Sequence, residues 1–204
     1  MRIGIDTTAL PPQPVGAGNY MIQLVRALAA PGMEYELVIF ASKGGQKLIG
    51  VPEQPGIHWE VFPNQSPARR LLWEQAAFPK AVKRSGVDLL HSLHYTRPRS
   101  LPCASVVTFH DMTFFLYPQL HTRAKRLFFP GAMRASARLA DALIADSEST
   151  RRDAIRLLNI PPKKSSQFPW ESARTFTRFP IRRAWTACAR NTNYPKISSC
   201  TWGW

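Results

Sequence analysis

Solid apolar runs, separated by segments of helical period, dominate the chain as far as position 163. Residues 2–6 (RIGID), 35–41 (YELVIFA), 87–91 (VDLLH), 104–109 (ASVVTF) and 142–145 (ALIA) are nearly uninterrupted apolar stretches, and residues 57–62 alternate. Runs of this length and kind are read as strands buried on both faces, the mark of a parallel sheet. Between them, Met21, Ile22, Leu24, Val25 and Leu28 recur at helical spacing, in a helix that opens at Gly16 and stops at Pro31-Gly32. A second helix is predicted over 69–84, with Leu72, Ala76, Phe78, Ala81 and Val82 near one face and a kink at Pro79. A third spans 122–139. A fourth starts at the capping sequence Asp146-Ser147-Glu148-Ser149 and runs to Leu158.

Strands alternating with helices predict an α/β fold, a Rossmann-like parallel sheet with helices on both faces. Open sheets of this kind bind ligands at the carboxyl ends of their strands. That directs attention to the loops after Asp6, His91, Phe109 and Ala145.

Past position 163 the pattern fails. Residues 164–204 show no sustained period, yet they carry four tryptophans (Trp170, Trp185, Trp202, Trp204) and two of the three cysteines. A solvated tail is poor in aromatics, and a domain has periodicity; this stretch has neither property. The expected organisation is therefore one domain over 1–163 and a poorly ordered tail over 164–204.

The formal charge of +14 is spread over several clusters: Arg69-Arg70, 80–84, 97–99, 123–126 and Arg151-Arg152. Such clusters are read as solvated helix faces, or as a basic rim meeting a phosphate-rich substrate or an anionic membrane surface. No nucleic-acid-binding motif accompanies the charge, so nucleic acid is not an expected partner. No apolar run reaches the roughly eighteen residues of a membrane span, and no signal-peptide core precedes the first strand. A cytoplasmic protein is expected. Cys103, Cys188 and Cys200 lie far apart with no metal spacing.

Four segments carry candidate chemistry. Gly16 and Gly18 lie at a helix N-terminus, where side-chain-free backbone, N–H groups and the helix dipole favour an anion; the alternative is a tight strand-to-helix connection. His110, at a strand's carboxyl end beside Asp111, has the position to donate to a substrate hydroxyl or phosphate or to act as acid or base, or else is satisfied by its neighbours. His91, His94 and Tyr95 follow another strand and can line a pocket; His-x-x-His lacks a third ligand nearby, so no metal is expected. Ser147 either caps a helix or faces the same cleft.

Together, MRIGIDTTAL, the GAGNY loop, RLLWEQAAFPKAVKRSGVDLLHSLHYTRP, VVTFHDMTFFLYP and RLADALIADSESTRRDAIRLLNIPPKK resemble, in order and spacing, the N-terminal domain of glycosyltransferase family 4. The resemblance covers residues 1–163 and implies the N-terminal half of a two-domain GT-B fold. It implies transfer of a sugar from a nucleotide-sugar donor to a saccharide or lipid-linked acceptor, with retained anomeric configuration and no metal or other cofactor. Location is then cytoplasmic or peripheral at the inner face of the membrane. On this resemblance Gly16, Gly18 and Asn19 approach the donor phosphates and His110 lies near the transferred sugar. His94, Tyr95, Asp111 and Ser147 face the acceptor cleft. The family's nucleotide-binding domain has no match here, so the chain alone is expected to be inactive, or to serve as an acceptor- or membrane-binding module without catalysis.

The tail is consistent with a change of reading frame. Joining the last base of each codon to the first two of the next permits KIVAIPLGVSPDFHPIPDP from residues 163–182 and KYQLPENFFLYVG from residues 190–203, both of which resemble the family's continuation. The chain is therefore expected to be truncated by a frameshift near Lys164.

Overall fold

The computed structural model describes residues 1–167. Its elements in chain order are β1 (Arg2–Asp6), α1 (Ala17–Leu28), β2 (Glu36–Ser42), α2 (Gly45–Ile49), β3 (Ile57–Phe62), α3 (Pro67–Ala76), α4 (Phe78–Arg84), β4 (Leu89–Ser92), β5 (Ala104–Phe109), α5 (Thr113–Leu116), α6 (Arg123–Leu139), β6 (Ala142–Ala145), α7 (Glu148–Leu158) and β7 (Ser165–Gln167). The seven strands form one sheet in the order β3-β2-β1-β4-β5-β6-β7. Every neighbouring pair is parallel. The predicted Rossmann-like α/β fold is the one observed.

The apolar runs form this sheet because both faces are covered, and alternate residues of one strand enter different cores. Ile3 and Ile5 of β1 pack with Leu37 and Ile39 of β2 beneath Leu24 and Val25 of α1. Val38 and Phe40 of β2 and Leu90 of β4 turn the other way, onto Phe78, Ala81 and Val82 of α4. A third cluster joins Val107, Phe109 and Leu143 to Phe129, Met133 and Ala137 of α6 and to Ala154 and Leu158 of α7. Gly4 keeps β1 close to its neighbours: a Cβ there would lie 2.9 Å from Phe40 Cε2 and 3.2 Å from Leu90 Cδ1.

Three expectations are corrected. The helix predicted over 69–84 is two helices, α3 and α4, divided at Ala77. Pro79 occupies the first turn of α4, where its missing N–H is no loss, so the chain restarts instead of kinking. Second, Leu72 and Ala76 are exposed and the buried residue of α3 is Glu74; Phe78, Ala81 and Val82 are buried as expected. Third, the sheet continues past position 163. β7 pairs Ser165 with Leu143 and Gln167 with Ala145. Parallel pairing uses main-chain groups alone, so the open edge of β6 is a template that three residues without an apolar pattern can extend. The rest of the predicted tail lies outside the described residues.

Strand order reverses between β1 and β4, which places the crevice of the open sheet beyond Asp6 and Ser92, register partners at the carboxyl edge.

Candidate functional site

The carboxyl edge collects polar side chains from several elements. At the start of α1, Gly16 adopts φ 47°, a left-handed conformation glycine reaches without strain. It caps the helix without a side-chain hydrogen bond. The Gly18 N–H bonds to Val15 O at 2.9 Å. Among the described residues, the Ala17 and Asn19 N–H groups have no protein acceptor. Two first-turn donors thus remain open for an anion, with the helix dipole behind them. Gly18 serves packing as well: a Cβ there would sit 3.0 Å from Pro14 Cβ. The proline-rich loop closes over it.

Tyr20, on the first turn of α1, meets the His110 ring edge to face at a centroid separation of 5.2 Å. His110 directly follows β5 and is almost enclosed, its side chain 7% exposed. Its Nδ1 lies 2.7 Å from Asp146 Oδ2 and its Nε2 2.7 Å from the Leu93 carbonyl. A carbonyl only accepts, so Nε2 carries a hydrogen and donates it there. Both ring nitrogens are engaged. His110 is where the reading placed it, but it reaches a substrate hydroxyl only by giving up one of these bonds.

His91 and His94 do not form a pair. His91 is buried within the sheet, with Nε2 2.9 Å from Thr108 Oγ1. His94 packs against Tyr95 at 4.6 Å and His110 at 5.9 Å between centroids. Burial, with His110 adding to it, pushes both rings down to about 3, so both are neutral imidazoles near neutral pH. Tyr95 follows at φ 55°, left-handed for a residue with a Cβ. That geometry costs about 1 kcal/mol or more and is held by the Tyr95 N–H bond to Thr108 O (3.1 Å) and by its hydroxyl donating to Asp111 Oδ2. Asp111 also accepts from Thr113 N and Oγ1 at 2.8 and 2.6 Å. Burial works to raise the Asp111 carboxyl, but these hydrogen bonds and His110 outweigh it and hold it below the usual range. Ser147 is the N-cap of α7, its Oγ accepting from Thr150 N at 3.0 Å.

One group of residues was not singled out from the sequence. Glu74, 1% exposed, accepts from Thr96 Oγ1 (2.8 Å), Arg70 Nη1 (3.1 Å) and Gln75 Nε2 (2.9 Å). Asp6 accepts from Thr8 N and Oγ1 at 2.9 and 2.7 Å. Burial raises both carboxyls against the pull of Arg70, the charge they share. Asp146, read as part of the capping sequence before α7, is the partner of His110. Asp6 had a local signal, a carboxylate at a strand's carboxyl end, whereas Glu74 had none.

The model of Glycosyltransferase Family 4 matches residues 14–169. O-antigen chain mannosyltransferase B of Escherichia coli is 26% identical over 180 residues, covering 79% of this chain and 45% of that protein. The crystal structure of Anabaena Alr3699/HepE in complex with UDP and glucose is similar with a TM-score of 0.50 at 17% identity, over 81% of this chain and 43% of that one. At that identity the likeness is one of fold. The chain spans less than half the length of either protein.

Proposed function

The chain belongs to glycosyltransferase family 4, and from that premise we propose that it is the acceptor-side half of an enzyme transferring a sugar from a nucleotide-sugar donor to a saccharide or lipid-linked acceptor. Retention of the anomeric configuration and independence of metal are part of the same reading. The observation that carries it is the open N-terminus of α1, whose Ala17 and Asn19 N–H groups have no acceptor among the described residues and whose Tyr20 packs on His110. Charge developing on a leaving diphosphate is stabilised by fixed donors of this kind. Asp111 and His94 supply the polar wall, one anionic and one neutral.

Two backbone donors are a small part of what a departing diphosphate needs. Within the same proposal the described residues are inactive on their own, and the sequence after Lys164 is read in a changed frame. The similarity to a mannosyltransferase makes nucleotide-activated mannose the first donor to try with the in-frame product. A cytoplasmic location completes the proposal.

The phosphate site is tested by titrating the 15N-labelled chain with inorganic pyrophosphate. The Ala17 and Asn19 amide resonances shift while those of α7 stay in place. Amide shifts absent from α1, or spread evenly over the basic surface, refute the assignment.

A further inference from the structure

At the switch point of the sheet, buried polar groups keep bonding capacity that the fold does not use. β1 alternates across the sheet: Ile3 and Ile5 lie beneath α1, so Gly4 and Asp6 face the other way, where Gly4 meets Phe40 and Leu90. Ser92 is the register partner of Asp6 and points to the same side. α3 brings Arg70 and Glu74 near enough to Asp6 for the charges to interact. Asp6 is 6% exposed, and its Oδ1 takes both hydrogen bonds from Thr8, which leaves Oδ2 without a protein donor among the described residues. Ser92 Oγ is buried there and likewise has no partner among them. Arg70 commits Nη1 to Glu74, and its Nε and Nη2 groups reach no acceptor among the described residues. Arg70 and Asp6 feel each other's charge, yet they form neither a hydrogen bond nor an ion pair. A buried group left unbonded costs about 1–3 kcal/mol, and an occupant that bonds both the carboxyl and the guanidinium removes that cost.

We infer that Asp6 and Arg70 recognise a neutral sugar of the acceptor, one hydroxyl accepting from the guanidinium and its neighbour on the ring donating to Asp6 Oδ2. The inference rests on the transferase reading and narrows it: the acceptor is recognised through sugar hydroxyls, whether that sugar is free or carried on a lipid. A phosphate would meet two carboxyls, Asp6 and Glu74, against the one guanidinium they share. Burial raises both carboxyls, and a sugar hydroxyl, which donates as well as accepts, bonds a carboxyl in either charge state. An apolar occupant would leave Asp6 Oδ2 and the guanidinium unbonded. The donor's phosphates have their own candidate place at the N-terminus of α1, the helix that covers the opposite face of β1. His94 connects the two places, since its ring senses the Arg70 charge and packs against His110.

The test is titration of the full 15N-labelled chain with the methyl glycosides of mannose, glucose and galactose, and separately with inorganic phosphate. At least one glycoside shifts the amides of 6–8 and 70–74, and phosphate leaves them in place. Asp6→Asn keeps an oxygen for the two Thr8 bonds and replaces only the open one. Arg70→Lys keeps a cation beside Glu74 and removes the remaining guanidinium donors. Each weakens glycoside binding by about tenfold or more, the size of one hydrogen bond to a charged group. Arg69→Lys, at the exposed neighbouring position, leaves binding unaltered. Phosphate shifting the same amides would make this an anion site and overturn the inference. Glycoside shifts confined to 94–111, or folded Asp6→Asn and Arg70→Lys variants that bind like the parent, would overturn it too. Pyrophosphate shifts at α1 with no glycoside shift at all would overturn this inference and leave the transferase reading standing. Glycoside shifts at 6–8 and 70–74 without pyrophosphate shifts at α1 would keep the sugar site and count against the donor end of that reading.

Discussion

His110 Nδ1 and Asp146 Oδ2 stand 2.7 Å apart across 36 residues of sequence, and they join the carboxyl ends of β5 and β6. With Nε2 held by the Leu93 carbonyl, the ring that sequence reasoning singled out as reactive is fixed on both sides. Asp146 is therefore a positioning residue in this account. Among the described residues its second oxygen is buried without a partner, so the carboxylate's hold on the fold runs through His110.

Asp146→Ala removes that hold. We expect a loss of about 1.5–3 kcal/mol, the range for a hydrogen bond to a charged group, read by urea denaturation. The His110 ring resonances broaden or shift while those of His91 stay in place. An unchanged denaturation midpoint would mean that the Leu93 carbonyl alone orients the ring.

Glu74→Ala strands Thr96 Oγ1 and Arg70 without their acceptor and is expected to destabilise by about 3–5 kcal/mol, as when one partner of a buried ion pair is deleted. Glu74→Gln keeps one acceptor oxygen and loses less. Burial raises the folded-state Glu74 and Asp6 carboxyls above their ordinary values. Each therefore contributes stability that is full below the ordinary carboxyl range and is lost as pH rises through the elevated folded value. As pH rises above the ordinary carboxyl value of about 4.5, the Glu74→Gln variant shows a flatter fall in stability than the parent. Parallel curves would place the titration elsewhere.

Gly16→Ala meets no neighbour but must hold φ 47°, a strain of about 1 kcal/mol. Gly18→Ala has an ordinary φ but meets Pro14 Cβ at 3.0 Å, so the proline-rich loop shifts. Chemical-shift mapping separates the two: changes confined to 15–19 for the first, and spread over 11–19 for the second.

Ser147→Ala removes the cap of α7 and costs about 1 kcal/mol, and Ser147→Asp restores most of it. A variant that keeps full stability would return Ser147 to the cleft role read from the sequence.

Much of this fold was legible because a doubly covered parallel sheet writes itself as short apolar runs, and β1, β2, β4, β5 and β6 all lie in such runs. The glycine loop and His110 were legible for a related reason, since position at a strand's carboxyl end is itself the signal. Glu74 was not, because its burial depends on Thr96 and on the return of β4, contacts 22 residues away. The arrest of the α3 reading had the same source: periodicity put Leu72 inward, and the buried ion pair took that place with Glu74. β7 was missed because its pairing is main-chain chemistry on an open edge.

The central claim is the proposal that this chain forms the acceptor-side domain of a glycosyltransferase, and turnover of nucleotide-sugars tests it most directly. The 204-residue chain and the product of the same gene read in the shifted frame from Lys164 onward are assayed side by side, starting with nucleotide-activated mannose. The account predicts no transfer by the first and transfer to a saccharide or lipid-linked acceptor by the second. Turnover by the 204-residue chain on its own, or a shifted frame that encodes no second domain, would contradict it.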